Sequence, residues 1–425
     1  MAHLQQQGDR AVRDLDLTVA FDAGANRWAS DRTALLEKSQ IAVLRAAKQY
    51  CRHMCDTLVR VTDDAVLFAK NSDRDPNESQ VIEFHPATGD TNAVLLSRPW
   101  WLWGAEIGTN DHGVTIGNEA VFTRRVDKAG GEQTGMDLLR HALERTRDRH
   151  SAVEEIVRRL EADGQGGRAS HEHPRFHYDN SFIVADPTGA VVLETAGRQW
   201  ATEEVTGARS ISNGLTIPGF AEKFADPLKG RVAQCASRRR RTTSSAGRAE
   251  SVLDLMAALR DHGDGSHPRY HWANGALAAP CAHAGGLLTS TQSTASWVAD
   301  VTAQRHWVTA TSAPCTSLFK PLNVGPLPVV EPAGIDNRFD PSHLWWRHEQ
   351  VHRAWVRDPG AFEDLRVERD ELEQRWVRDD VDAAQAWSEA EEWEARAVRC
   401  AATDRRPPIV RGLWRRWDRQ ARVPS

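Results

Sequence analysis

From Cys55 onward the apolar and polar positions fall into short runs of β-forming residues. CDTLVRV, AVLFAKNS, QVIEFHP, AVLLSRP and GVTIGNEAV follow one another, separated by the turn clusters DD, PN, TGDTN and NDHG. Strands so closely spaced predict an antiparallel sheet. Two helices come next. GMDLLRHALERTR sets Met136, Leu139 and Leu143 on one stripe, and SAVEEIVRRLEADG does the same with Val153, Ile156, Val157 and Leu160. Ser151 and Glu154 suit a capping box at the start of the second helix, and Gly164 suits a left-handed stop at its end. Strand patterns resume in SFIVADP, AVVLETAG and ARSISNGLTI, AESVLDLMAALRDHG reads as a helix, and HWVTATSAP with SLFKPL ends the sheet-forming stretch near residue 322. Strands, a helix pair and strands again predict the α+β class, with helices covering sheets.

The two flanks differ from this middle. Residues 1–54 pass from a polar lead into ALLEKSQIAVLRAAKQY, where Leu35, Leu36, Val43, Leu44 and Ala47 suit an amphipathic helix. That segment is expected to be a leader, a propeptide or an over-read start. Residues 326–425 are rich in Trp, Arg and Glu with helical periodicity, so a helical C-terminal extension is expected after a domain spanning 55–325.

Composition narrows the partners. At 425 residues the chain exceeds one ordinary core, and 40% hydrophobic with 27% charged residues is a globular balance. A net charge of −5 supplies no field that would draw nucleic acid or an anionic membrane. Neither is an expected partner. Six scattered cysteines lack the density of a disulfide-stapled secreted domain, so reduced thiols and a cytoplasmic location are expected. The N-terminus has no signal-peptide pattern, and no apolar run is long enough to cross a bilayer. A small peptide or amide substrate is the expected partner, with a homo-oligomer left open.

The chemistry centres on HMCDTLVR. A cysteine on a strand is ordinarily a small buried hydrophobe, but Met54 directly precedes Cys55. Initiation at Met54 with removal of that methionine, or cleavage of the leader, would leave Cys55 with a free α-amine. With an ordinary pKa of about 7.7 to 8.0, that amine is a built-in base for the thiol. AKNSDRDPNE follows at the end of the second strand, where a polar β-turn is the plain alternative to a catalytic role. A hairpin would return Asn71 and Asp73 beside Cys55, with Asp73 accepting hydrogen bonds from the amine. In GTNDHGVTIGNEAV, Asn118 and Glu119 follow an apolar strand, and the Asn118 amide is placed to donate to an oxyanion.

Taken together, CDTLV, the KNSDR turn, LLSRPWWLWGAEIGTNDHGVTIGNEAV, GMDLLR with ALER, the GQGG loop, SFIVADPTGAVVLETAGRQWA and SLFKP resemble the secernin and cysteine-dipeptidase family of N-terminal-nucleophile hydrolases. The resemblance implies a four-layer αββα sandwich and a cysteine-dependent dipeptidase acting through a thioester at Cys55. It implies Asp73 as the partner of the amine, Asn118 as an oxyanion donor and, on a loose alignment, Asn213 as a second asparagine. Asn71, Arg74, Glu119 and Asn213 are the candidate substrate contacts. The arginine that acylase relatives use late in the domain has no counterpart in QSTASWVADV. No metal or organic cofactor is expected. The alternative is a secernin-like regulatory or interaction protein in secretion.

Other motifs compete for attention. HEQVH at His348–His352 spells a zinc-protease pattern, with Glu371 as a distant third ligand, but a solvated helix is the expected role. His171, His173 and His177 in HEHPRFH are expected on an exposed loop, and Arg238 to Arg241 on a solvated one. CRHMC lacks a second pair at zinc-finger spacing, and the tryptophans of LSRPWWLWGAE are expected in packing rather than in a cleft.

Overall fold

Asp56–Val61 (β1) and Val66–Arg74 (β2) form the expected antiparallel hairpin, closed where Thr62 N–H donates to the Ala65 carbonyl at 2.9 Å. Successive residues of β1 face opposite ways. Leu58 packs under one helix layer and Val59 faces a second sheet, which is the period of two at work. The computed structural model describes residues 54–124, 131–287, 291–329 and 331–424. The expected helix over ALLEKSQIAVLRAAKQY, and the leader before Met54 with it, lie outside the described residues.

After the hairpin come Gln80–His85 (β3), Val94–Pro99 (β4), Ile107–Asn110 (β5) and Thr115–Val121 (β6). The helices Gly135–Arg145 (α1) and Arg149–Asp163 (α2) follow, then Asp179–Asp186 (β7), Gly189–Ala196 (β8), Gln199–Glu204 (β9) and Ala208–Ile211 (β10). Two short helices, Phe220–Phe224 (α3) and Pro227–Val232 (α4), lead into Cys235–Arg248 (α5) and Val252–Leu259 (α6). Gln292–Asp300 (β11), Arg305–Val308 (β12) and Lys320–Leu322 (β13) complete the strands described.

These strands build two antiparallel sheets, ordered β10-β1-β2-β11-β12-β13 and β3-β4-β5-β6-β7-β8-β9. The sheets face each other across a core that joins Val59, Phe68 and Trp297 of the first to Leu95, Ile107, Ile183 and Val192 of the second. Outside the second sheet, Leu139 and Leu143 of α1 and Ile156 and Leu160 of α2 pack on Leu96, Ile116, Val184 and Leu193. Outside the first, Ala246 of α5 with Leu255 and Leu259 of α6 pack on Leu58, Ala69 and Val298. The layering is therefore helix, sheet, sheet, helix, an α+β sandwich of two antiparallel sheets.

The C-terminal part folds into Leu344–Arg357 (α7), Glu363–Arg378 (α8), Ala383–Ala397 (α9) and Pro408–Ala421 (α10). Trp355, Trp376, Trp393, Trp414 and Trp417 make one cluster with Cys281, Cys315 and Leu318, which accounts for much of the tryptophan excess. At the other end of α7, Trp345 donates its indole N–H to the Thr294 carbonyl in β11 at 3.0 Å.

Four expectations need correction. KNSDR is not a turn: Lys70–Arg74 continue β2, every residue buried, because β2 is paired on both sides and most of its polar side chains reach partners inside, such as Asn71 on Ser296 and Asp73 on Ser293. Helix α2 starts a turn early, with Asp148 rather than Ser151 as N-cap, its carboxylate accepting from the His150 and Ser151 N–H groups. Gly164 does end that helix at φ 75°. Arg238 to Arg241 belong to helix α5, and Arg238 points inward with no exposure. HEQVH is not a solvated surface either, since His348, Glu349 and His352 are all buried.

Candidate active site

Cys55 stands at the head of β1, a strand flanked by β10 and β2. The β1–β2 register pairs Asp56 with Asn71, so the far end of β2 returns beside Cys55. The backbone N–H of Asp73 lies 3.3 Å from Cys55 Sγ. Asp73 Oδ1 accepts from Ser293 Oγ of β11 at 2.7 Å, while its Oδ2 is buried without a partner. Burial pushes the Asp73 carboxyl well up, and the charge of Arg238 opposes the rise.

The backbone of Cys55 is held from the other side. Its N–H donates to Asn213 Oδ1 at 3.2 Å, and its carbonyl accepts from Arg238 Nη1 at 3.1 Å and Ser212 Oγ at 3.4 Å. Arg238 also donates to Asp56 Oδ2 at 2.6 Å and to Asn213 Oδ1 at 2.7 Å, and Asn213 Nδ2 donates to the Ala120 carbonyl at 2.8 Å. Asn213, the loosest of the expected site residues, thus touches the nitrogen on which the proposed chemistry depends. Arg238 was not expected here. Its signal is faint: Cys235, Arg238, Thr242 and Ala246 share the buried side of α5, a stripe of small and polar residues that hydrophobic periodicity does not pick out.

Asn118 on β6 donates its amide to Asn180 Oδ1 at 3.0 Å and to Met136 Sδ at 3.2 Å. Asn180 is held in turn by Gln165 at 2.8 Å. Gly135 is required at this point, since a Cβ there would lie 2.0 Å from Asn180 Cγ.

Three expected substrate contacts have other work. Asn71 donates to the Leu259 carbonyl at 2.9 Å and the Pro280 carbonyl at 3.0 Å, and accepts from Ser296 Oγ at 2.6 Å. Both of its amide hydrogens are spent on bracing the chain. Arg74 is fully buried between Glu106 (2.8 Å), Glu78 (3.3 Å) and the Ala169 carbonyl (2.8 Å). Glu119 bonds to Thr57 Oγ1 and pairs with Lys70 at 3.2 Å, both charges fully buried. Burial raises the Glu119 carboxyl to about 7 against the pull of Lys70. The Cys55 thiol feels the same pair: burial pushes it well up, Lys70 pulls it down and Glu119 pushes it up again.

Met54 closes the site. It has no exposure and packs among Leu102, Ala120, Phe122, Met136, Tyr178 and Leu277, with Trp101 at the edge. Cys55 beneath it is 3% exposed. A cleft of about 500 Å³, lined by Phe122, Ser212, Gly214 and Cys235 among others, runs alongside. Trp101 donates to Glu78 at 2.7 Å, and Trp103 is exposed beneath Arg140. In HEHPRFH, His171 bonds to Glu172 at 3.0 Å and His177 to the Gly167 carbonyl at 3.0 Å, so these two serve separate contacts. Among the described residues no helix is long and apolar enough to cross a membrane.

No family model matches the chain. Among solved structures it is similar to a cysteine-to-alanine mutant of conjugated bile acid hydrolase from Clostridium perfringens, at 11% identity and a TM-score of 0.40, over 63% of this chain and 92% of that one. An arginine-to-leucine variant of the same hydrolase matches over the same shares at 11% identity and a TM-score of 0.39. An N-acylethanolamine-hydrolyzing acid amidase ortholog from Caenorhabditis elegans matches at 12% identity and a TM-score of 0.29, over 47% of this chain and 87% of that one.

Proposed function

We propose that the chain is a cysteine-dependent amide hydrolase whose nucleophile is Cys55 once that residue has become the N-terminus, with dipeptides as its substrates. The carrying observation is the way one strand head is held at three points. Asn213 takes the Cys55 nitrogen, Arg238 takes its carbonyl, and the Asp73 N–H faces its sulfur. Such a frame fixes a nitrogen and a thiol in one geometry, as a base and nucleophile in the same residue require.

In this scheme the α-amine accepts the thiol proton and the thiolate attacks the substrate carbonyl carbon. The C–N bond of the tetrahedral intermediate then breaks as the proton passes to the departing amine, leaving a thioester. Water attacks that thioester, the carboxylic acid leaves, and the thiol is restored. An α-ammonium at Cys55 adds a cation beside Asp73, which favours its ionised form against burial. Asn118 supplies the oxyanion donor. Its contact to Met136 Sδ is to a weak acceptor, which a charged oxygen displaces readily.

The test is the intact mass of active protein, read beside a dipeptide panel run with wild type and Cys55→Ala. The expected active species begins at Cys55, the alanine variant is inert, and turnover rises through about pH 7 to 8 as the amine deprotonates. Fully active protein that still carries residues 1–54 would overturn the proposal.

A further inference from the structure

Away from Cys55, four side chains from three stretches of chain converge behind the sandwich. They are His262 just after α6, Cys281 and His283 in the segment leading to β11, and Cys315 after β12, and their Nε2 and Sγ atoms all lie within 4.8 Å of one another. His283 Nε2 is 3.2 Å from His262 Nε2 and 3.4 Å from each of Cys281 Sγ and Cys315 Sγ. A tetrahedral zinc with Zn–N near 2.0 Å and Zn–S near 2.3 Å separates its ligands by about 3.3 Å (N to N) and about 3.5 Å (N to S). The three distances from His283 Nε2 are those of a coordination shell.

The surrounding hydrogen bonds fix which nitrogens carry protons. His262 Nδ1 lies 3.1 Å from the Ser266 carbonyl, an acceptor only, so it holds the hydrogen and Nε2 holds the lone pair. His283 Nδ1 faces His352 Nε2 at 3.4 Å, and His352 Nδ1 faces Glu349 Oε1 at 3.1 Å. Glu349 is paired with Arg353 at 2.7 Å and is therefore the anionic end of this relay. Each imidazole passes its Nδ1 hydrogen toward that carboxylate, which leaves the His283 Nε2 lone pair aimed at the cluster. Two lone pairs 3.2 Å apart repel unless an electrophile lies between them. This carboxylate–histidine support is the outer shell that orients metal-bound imidazoles.

We propose that His262, Cys281, His283 and Cys315 bind one structural zinc ion, with His352 and Glu349 as its outer shell. Two thiolates balance the charge of the dication, so the filled site is neutral and suits its burial. The site is also partly built in advance, since Cys281 N–H donates to the Asp261 carbonyl at 3.0 Å and joins two of the three segments that carry ligands. A cleft of about 660 Å³ that reaches His262 and Cys315 gives an ion its way in. HEQVH thus contributes through His352 and Glu349 as supports. His348 turns away, bonded to Glu394 at 2.8 Å and to Ser317 at 3.0 Å.

The zinc has a mechanical consequence. Ala282, between two ligands, exchanges hydrogen bonds with Ser293, through its N–H to Ser293 Oγ at 3.1 Å and its carbonyl to Ser293 N–H at 3.0 Å. Ser293 Oγ is the group that holds Asp73. The ion therefore steadies the wall of the Cys55 site and takes no part in its chemistry.

The experiment is elemental analysis of the full-length chain, purified under reducing conditions from zinc-supplemented cells and desalted. About one zinc per chain is expected. Replacement by cobalt(II) should give thiolate-to-cobalt charge transfer in the near ultraviolet and tetrahedral d–d bands in the red. X-ray absorption should find sulfur at about 2.3 Å and nitrogen at about 2.0 Å. Cys281→Ser and Cys315→Ser should lose the metal. If either fails to fold, the wild-type metal content and cobalt spectrum still decide, and His262→Ala, at the half-buried rim, should bind zinc at least tenfold more weakly. Reduced wild-type protein that binds neither zinc nor cobalt on titration overturns the proposal, as does native protein isolated with a Cys281–Cys315 disulfide.

Discussion

Replacing Arg238 by methionine removes four donated hydrogen bonds at once, to Cys55 O, Asp56 Oδ2, Asn213 Oδ1 and Ala233 O. Methionine fills similar space, so cavity formation is a minor part of the effect. The larger part is the Asp56 carboxylate, which has no exposure and whose Oδ1 is already without a partner. Breaking a buried pair from one side typically destabilises by about 3 to 5 kcal/mol. Asp56 limits the loss by taking a proton, because burial already raises its carboxyl and Arg238 is the main opposing influence. A carboxyl raised in the folded state is stabilising at low pH and loses that benefit as pH rises, so the deficit of Arg238→Met should be larger at pH 8 than at pH 5. Urea unfolding at both pH values measures it. Adding Asp56→Asn should recover part of the loss, a coupling on the order of 1 to 3 kcal/mol. Arg238→Lys should not restore function, since one ammonium cannot span Asp56, Asn213 and the Cys55 carbonyl as a guanidinium fork does. Loss below about 1 kcal/mol in Arg238→Met, or strict additivity with Asp56→Asn, would refute the role assigned to this buried pair.

Two further predictions concern buried polar groups. Asn71→Ala strands the Leu259 and Pro280 carbonyls and should destabilise by roughly 2 to 4 kcal/mol by urea denaturation; a raised KM at unchanged stability would return Asn71 to the substrate. Lys320, buried against the Thr309 and Leu318 carbonyls, is lowered by burial to about 8. A lysine depressed in the folded state weakens the fold below that pH and ceases to do so as pH rises toward its unfolded value. The stability of wild type relative to Lys320→Met should therefore climb by on the order of 3 kcal/mol between pH 7 and pH 10.5, and a flat difference would place Lys320 in solvent.

Much of the sandwich is legible from alternation. β1, β3, β4, β6, β7 and β8 carry apolar residues at the right period, and α1 and α2 show their stripes. What escapes is the polar interior. β11 runs QSTASWVAD through the middle of a sheet, and its small hydroxyls give no strand signal because their hydrogen-bond partners, Asp73 and Asn71 among them, are invisible until the strands are paired. KNSDR is misread as a turn for the same reason. Arg238 lies in a run of four arginines where only one faces inward, and composition cannot say which. The zinc-like cluster escapes because its ligands come from three separated stretches with no finger spacing. The Met54–Cys55 junction, by contrast, is a covalent feature that needs no folding to be seen.

The grip of α7 on β11 bears on how the chain is made. Trp345 bonds to Thr294, Glu349 accepts from Gln292, and Arg353 reaches Asn77 beyond the end of β2. Synthesis runs from the N-terminus, so a nascent chain that has emerged only as far as Leu322 holds the strands of both sheets but none of these three residues. β11 pairs with β2 and β12 through residues before Leu322, whereas its bonds to α7 wait for Trp345 and Glu349. A polypeptide that has emerged only as far as Leu322 therefore carries the Cys55 end of β1 and the Ser293–Asp73 contact without the three bonds that α7 adds behind them.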